Sequence, residues 1–245
     1  RLRLLLAEAP GMPSAEAERR PAVNAAAVFL EEGVSAVKRL DALGLEETLK
    51  RGETALGAQG LLQRVVAPLA QVLGDLWRKG EITAAHEHFA SAVIRVFLGQ
   101  AAKTFGGTDN APVLVVATPA GQLHELGALL AAAAAANLGW QTTYLGASLP
   151  AAEIAGAARQ NRARAVALSL VYPEDDPRLE MELTRLREAL PADIGLLVGG
   201  RASAAYGHVL RKIGAATVED LPRFTALLDG LRRPAGAGSP PGGAS

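Results

Sequence analysis

One histidine lies in a glycine-containing loop that directly follows a short apolar segment. The stretch reads ATPAGQLHELG from Ala117 to Gly127, with Gln122 two residues before His124 and Glu125 one residue after it. Imidazole is the side chain that proteins most often use as a metal ligand. The alternative is a histidine on an ordinary surface loop, so the elements around this loop must decide between the two.

Those elements alternate between β-type and helical segments five times. The predicted strands are Val113–Ala117, Gln141–Leu145, Ala165–Leu170, Ile194–Val198 and Ala216–Val218. The predicted helices cover 124–138, 150–161, 178–190, 203–213 and 219–231. This alternation indicates an α/β fold, a parallel sheet with helices on both faces. Five strands fit the flavodoxin-like order 2-1-3-4-5, in which ligands bind beyond the carboxyl ends of the strands.

Three loops are therefore expected to meet at one edge of the sheet. The loop after strand 1 carries Thr118 and the histidine, and the loop after strand 3 carries Ser169 and Tyr172 in SLVYPEDDP. The loop after strand 4 begins with Gly199 and Gly200. Because glycine has no Cβ, this last loop lets a ligand approach the backbone closely.

The first half of the chain is predicted to be helical throughout. The helices are Asn24–Leu43, Leu45–Leu56, a third from Leu62 to Lys79 that Pro68 is expected to kink, and a fourth from Thr83 to Lys103. Short connections between them predict a four-helix bundle. We divide the chain into a linker or upstream remnant at 1–23, the bundle at 24–106, the α/β domain at 107–232 and a disordered tail at 233–245.

Composition excludes several classes of function. Lys and Arg total 25, as do Asp and Glu, so no basic excess supports nucleic-acid binding by this chain. The absence of cysteine excludes disulfides and thiol catalysis and fits a cytoplasmic protein, and no apolar run is long enough to span a membrane. Val171 stands where a phosphoacceptor domain needs aspartate, and nucleotide-binding glycine motifs are absent. We find no residue set for independent catalysis and expect no enzyme.

Together the three loops resemble the cobalamin-binding domain family. That family carries D/E-x-H-x-x-G after strand 1, S-x-(T/L/V) after strand 3 and a glycine pair after strand 4. The matching residues here are Gln122, Leu123, His124, Glu125, Leu126 and Gly127, then Ser169, Leu170 and Val171, then Gly199 and Gly200. The resemblance implies that His124 ligates cobalt from below and that the displaced dimethylbenzimidazole tail lies in a slot beside strands 1, 3 and 4.

One departure from that family is Gln122, which stands where the family has a carboxylate. A carboxylate at that place orients the imidazole and raises its basicity. The amide can still accept a hydrogen bond but carries no charge. We therefore expect ligation by His124 with a weaker Co–N bond.

A second motif lies in the bundle, where Trp77 is followed nine residues later by Glu87 and His88. By spacing alone, Trp77 continues an apolar stripe and the other two lie on a solvated face. As W-x9-EH, the stretch resembles the light-sensing module of CarH/LitR-type cobalamin photoreceptors, transcriptional regulators with an upstream DNA-binding domain. The resemblance implies that Trp77 packs over the upper face of adenosylcobalamin, while Glu87 and His88 line the pocket for its adenosyl group. His86 and His88 are two residues apart, which does not suit a zinc site.

Arg78 stands where the best-known members of that family have a histidine that ligates cobalt after illumination. A guanidinium has no free lone pair to donate, so a bis-histidine product cannot form in the same way. Some relatives also hold a linear tetrapyrrole, and without cysteine such a bilin would bind noncovalently here.

Two functions remain open after the sequence has been read. One is a homo-oligomeric light sensor, in which loss of the adenosyl group changes conformation or assembly to regulate transcription or an attached effector. DNA would then be bound only by an upstream domain. The other is a corrinoid carrier of a methyltransferase system, which would use the same His124 and the same loops.

Overall fold

The computed structural model describes residues 15–102 and 110–232, and it describes side chains over 25–99 and 110–232. Four helices come first: α1 (Ala15–Lys38), α2 (Ala42–Leu61), α3 (Ala67–Arg78) and α4 (Ala84–Ala102). A π-helical turn, Leu62–Val66, joins α2 to α3. The predicted helical bundle is present.

A parallel five-stranded sheet with flanking helices follows the bundle. Its elements are β1 (Val113–Pro119), α5 (Leu126–Asn137), β2 (Gln141–Leu149), α6 (Ala151–Gln160), β3 (Ala165–Ser169), α7 (Pro177–Ala189), β4 (Gly195–Gly199), α8 (Gly207–Lys212), β5 (Ala216–Val218) and α9 (Leu221–Arg232). The strand order is β2-β1-β3-β4-β5 and every pairing is parallel, which confirms the predicted fold and order. The loops after β1, β3 and β4 therefore share one edge.

Several boundaries differ from the predictions. Helix α1 begins at Ala15, whereas the first helix was predicted to begin at Asn24, so part of the predicted linker is helical. Alanine, glutamate and arginine, which dominate this stretch, have high helix propensity. Helix α2 continues past Gly57, where the backbone kinks at φ 71°, and ends at Leu61. Pro68 lies in the first turn of α3, directly after the π-helical turn. The predictions for 1–14, 103–109 and 233–245 lie outside the described residues.

Helix α5 separates the bundle from the sheet and is buried along most of its length. Its alanines belong to a hydrophobic core that contains bundle residues such as Leu69 and Ile94 and sheet residues such as Val116 and Leu197. A second core fills the opposite face of the sheet against α6, α7 and α8. Within the described residues, no helix combines the length and the apolarity needed to cross a membrane.

Candidate cofactor site

Gln122 anchors the loop that carries the histidine. Its side chain is only 1% exposed, and its Oε1 accepts hydrogen bonds from the backbone N–H groups of Val171 (2.8 Å) and Tyr172 (3.2 Å). The amide therefore ties the loop after β1 to the loop after β3. The predicted acceptor role of the amide is thus directed to two backbone donors, and the weaker bond from His124 to cobalt stays a prediction.

Thr118 stabilises the same loop through two hydrogen bonds. Its hydroxyl donates to the carbonyl oxygen of Gln122 and accepts from the backbone N–H of Ser148 at 2.9 Å. Thr118 is fully buried, so these bonds hold the turn in a water-free environment. The residue supports the site without reaching its surface.

His124 faces the bundle. Its Nδ1 lies 3.6 Å from Oε1 of Glu87, and its ring centroid lies 6.0 Å from that of Trp77, with the planes tilted by 55°. Ser91 donates to Glu87 at 3.2 Å, and Nδ1 of His88 lies 3.1 Å from the second oxygen of the same carboxylate. The His124 imidazole beside it lowers the pKa of Glu87, although burial opposes the shift. An imidazole and a carboxylate from two different domains thus meet at one point.

Glu125, next to the histidine, forms a second link to the bundle. Its carboxylate pairs with Arg95 of α4 and accepts a hydrogen bond from the Tyr144 hydroxyl of β2 at 2.5 Å. Burial raises the pKa of Tyr144, which keeps its phenol protonated as the donor. Neither Arg95 nor Tyr144 was predicted as a site residue.

A cavity of about 860 Å³ lies between the bundle and the carboxyl edge of the sheet. Nine of the predicted residues line it: Trp77, Glu87, His124, Leu126, Gly127, Ser169, Val171, Gly199 and Gly200. Seven others do not: Arg78, His88, Thr118, Gln122, Leu123, Glu125 and Tyr172. The structure therefore brings residues from both predicted motifs to one cavity.

Two of the residues outside the lining were expected to face a ligand. Arg78 is exposed and pairs with Asp75, and the side chain of His88 is 78% exposed. Both directly follow a residue that does line the cavity, and successive helical residues point about 100° apart. A helix that directs Trp77 or Glu87 inward therefore directs the next side chain away.

The lower part of the cavity depends on glycines. A Cβ added to Gly127 would lie 2.4 Å from the Ser169 hydroxyl oxygen, and one added to Gly200 would lie 2.3 Å from the carbonyl oxygen of Leu170. Gly200 also has φ 94°, which favours glycine. The Ser169 hydroxyl is buried, and no described residue bonds to it. This glycine-walled slot, with one hydroxyl that no described residue bonds, fits a flat heterocycle that carries one polar atom.

The donor set also fits a metal that brings most of its own ligands. Over 15–102 and 110–232, no three His, Asp or Glu side chains are grouped closely enough to hold an ion by themselves. A single imidazole can still complete the coordination of a metal in a macrocycle. His124 beside the slot provides the single imidazole that would complete the coordination of cobalt in a corrinoid.

The cavity also has polar lining residues that the sequence analysis missed. They are Gln63, Gln71 and Asp75 of the π-turn and α3, and Arg201, Ser203, Thr217, Glu219 and Asp220 around β4 and β5. Gln71 and Asp75 are four residues apart and share a face of α3, a spacing that can be read from the sequence. The others around β4 and β5 depend on how those strands are placed.

Comparisons with known proteins agree with this geometry. Two family descriptions match, a B12 binding domain at residues 112–221 and a second B12 binding domain at residues 30–101. The HTH-type transcriptional repressor CarH of Myxococcus xanthus is 31% identical over 190 residues, which are 77% of this chain and 62% of that protein. The chain is a B12-binding module of the CarH type.

This CarH-type module is also similar to two further proteins. The HTH-type transcriptional repressor CarA of Myxococcus xanthus is 28% identical over 201 residues, covering 81% of this chain and 67% of that protein. The monomethylamine corrinoid protein of Methanosarcina barkeri shares the fold, with a TM-score of 0.64 at 17% identity over 82% of this chain and 97% of that one. The module spans less than two thirds of the length of CarH.

Proposed function

We propose that this CarH-type module binds adenosylcobalamin and works as a light sensor within a transcriptional regulator, without enzymatic activity. One observation carries the proposal: Trp77 and Glu87 of the bundle face His124 of the α/β domain across a single cavity. One chain thereby provides residues for both sides of a planar metal cofactor. A cap of this kind suits a retained ligand better than one that must be presented to an enzyme.

Each residue has a distinct task in this proposal. His124 would ligate cobalt, and Ser169 with Gly127 would hold the base of the nucleotide tail in the slot. Trp77 and Glu87 would enclose the adenosyl group. Adenosylcobalamin supplies a cobalt–carbon bond that light can break. The residues of this chain determine how the presence of the upper group is communicated to the bundle.

The contacts of His124 support a two-state role for the bundle. Trp77 of α3 and Glu87 of α4 both face His124, so a group held between them would contact both domains. Its presence would favour one arrangement of the two domains and its loss another.

Arg78 and His88 shape the expected photoproduct. His124 is the one histidine among the residues that line the cavity, since His88 is exposed and His86 bonds to Thr83 at the start of α4. We therefore propose that illumination gives a product without a second histidine ligand. A bilin, if this module uses one as a second chromophore, binds without a thioether because the sequence has no cysteine.

The regulatory effect of such a module depends on the longer protein that contains it. CarH and CarA are HTH-type repressors, and this chain covers only part of either. We propose that DNA is bound through a separate domain and that light changes the homo-oligomeric state.

The decisive experiment is an absorption spectrum of the adenosylcobalamin-loaded protein before and after green light. A permanent spectral change in wild type, with weaker binding in His124→Ala, is the expected result. A stable adenosyl spectrum combined with exchange of methyl groups from bound methylcobalamin would favour the corrinoid carrier. Absence of any bound cobalamin would contradict both functions.

A further inference from the structure

Helix α4 presents a row of three polar side chains to the histidine loop. Glu87, Ser91 and Arg95 are spaced four residues apart, so they share one face of the helix. Ser91 donates to Glu87 at 3.2 Å within this row. The row begins with a negative group and ends with a positive one.

The loop opposite presents the complementary sequence. His124 faces Glu87, and the next residue, Glu125, pairs with Arg95. Two consecutive loop residues are thus held by two α4 residues about two helical turns apart. A shift of α4 along its axis would disturb both contacts together.

Glu125 is the better anchored of the two loop residues. Its side chain is only 13% exposed, whereas that of Arg95 is 51% exposed. Besides Arg95, it accepts the hydrogen bond from Tyr144 of β2. Glu125 precedes the first residue of α5, but its side chain makes no capping bond to that helix. Its carboxylate is used to join α4, the loop and the sheet.

The histidine therefore sits between two buried anchors that lead to different parts of the molecule. Two residues before it, Gln122 bonds to the loop after β3. One residue after it, Glu125 bonds to the bundle and to β2. Short spacing on both sides leaves the backbone at His124 little freedom to move independently of these anchors.

We infer that Glu125, held by Arg95 and Tyr144, is a positioning residue that sets the place of His124 and ties it to the position of the bundle. The inference rests on the proposed function for its consequence, which is control of the His124–cobalt bond. Its structural part, a fixed orientation between the two domains, stands without any cofactor. The Arg95–Glu125 contact attaches α4 to the loop independently of the Glu87–His124 contact.

The first test uses the cofactor-free protein. The sequence has no cysteine, so Leu43→Cys in α2 and Met181→Cys in α7, both at exposed positions, accept spin labels without competing sites. Electron–electron distance measurement then reports how firmly the bundle is held against the α/β domain. Glu125→Gln should broaden the distance distribution. Glu32→Gln, which weakens an Arg–Glu pair with Arg51 inside the bundle, is the matched control and should leave it unchanged.

The second test uses cob(II)alamin and protein labelled with ¹⁵N-histidine. Electron paramagnetic resonance shows a doublet from a ¹⁵N-histidine ligand and a triplet when the unlabelled dimethylbenzimidazole stays on cobalt. Wild type and Glu32→Gln should show the doublet. Glu125→Gln should lose doublet intensity and bind cobalamin about tenfold more weakly, as expected when a charge-assisted contact is removed. Tyr144→Phe, a milder change, should move both readouts in the same direction.

The outcomes separate this inference from the proposed function. If Glu125→Gln and Tyr144→Phe match Glu32→Gln in distance distribution and in doublet intensity, the inference is wrong. Restoration by the exchange Arg95→Glu with Glu125→Arg supports the pairing directly. If wild type binds no cobalamin, the proposed function fails, and the distance measurement alone still decides whether Glu125 fixes the domains.

Discussion

Ser169 and Gly127 allow a quantitative test of the slot, because one substitution should stabilise the protein while weakening its ligand binding. The Ser169 hydroxyl is buried, and no described residue bonds to it. An unsatisfied buried polar group costs about 1–3 kcal/mol. Ser169→Ala should therefore raise the free energy of unfolding of the cofactor-free protein by roughly 1 kcal/mol.

Gly127→Ala should have the opposite effect. Alanine at this helical position would gain up to about 1 kcal/mol in helix propensity. Its Cβ would, however, lie 2.4 Å from the Ser169 hydroxyl oxygen, an overlap that costs about 1–3 kcal/mol when the neighbours cannot relax. We expect a net loss of roughly 1 kcal/mol.

The double variant separates this explanation from a general loss of stability. Without the hydroxyl, the nearest neighbour of the new Cβ is the Cβ of residue 169 at 3.4 Å, which is an ordinary contact. The pair should therefore be at least as stable as Ser169→Ala alone, with a coupling energy of about 1–3 kcal/mol. Urea unfolding of the four proteins measures this cycle. Strict additivity would refute the steric argument.

Cobalamin binding provides the second half of this test. Ser169→Ala removes the polar group that the slot offers, and Gly127→Ala narrows the slot. Both single variants and the pair should bind more weakly than wild type, so stability and affinity change in opposite directions for Ser169→Ala. Titration monitored by absorption measures the affinities, and an unchanged affinity in Ser169→Ala would show that the hydroxyl does not contact the ligand.

Three further predictions concern the same edge of the sheet. Gly200→Ala should destabilise by roughly 3 kcal/mol in urea unfolding, because it combines φ 94° with backbone overlap; Gly156→Ala, in open space, is the control. Gln122→Leu should lose about 1–3 kcal/mol in the same assay, since two partly buried backbone N–H donors lose their buried acceptor. Cobalamin should change Trp77 emission, because the ring lies 6.0 Å from His124 and lines the same cavity; a Trp77→Phe protein that retains the full change would contradict this.

The fold could be predicted from sequence because its signals are local. Alternating apolar segments and helical stripes mark each element, and parallel strands place their following loops at one edge. His124, Ser169 and Gly199 were found because they lie at or beyond the carboxyl ends of predicted strands 1, 3 and 4. Their neighbourhood follows from topology alone.

The contacts of these residues could not be predicted in the same way. The partners of Gln122 are backbone amides 49 and 50 residues away, and backbone donors leave no mark in a sequence. Arg95 looks like any cation on the solvated face of a helix until the fold brings α4 against the histidine loop. For His88, helical geometry was a usable signal, because adjacent helical residues point about 100° apart and His88 directly follows Glu87. The motif resemblance nevertheless led to the prediction that both residues face the ligand.

The alanine-rich helix α5 makes the two domains a single thermodynamic unit. Its side chains belong to a core shared by the bundle and the sheet, so neither half can unfold without exposing the other's buried surface. A ligand that binds only the native chain at 100 times its dissociation constant adds about 2.7 kcal/mol to the stability of the whole core. Calorimetry should then show one melting transition, and its midpoint temperature should rise when a ligand fills the slot. A ligand bound mainly to the α/β domain would therefore also stabilise the bundle.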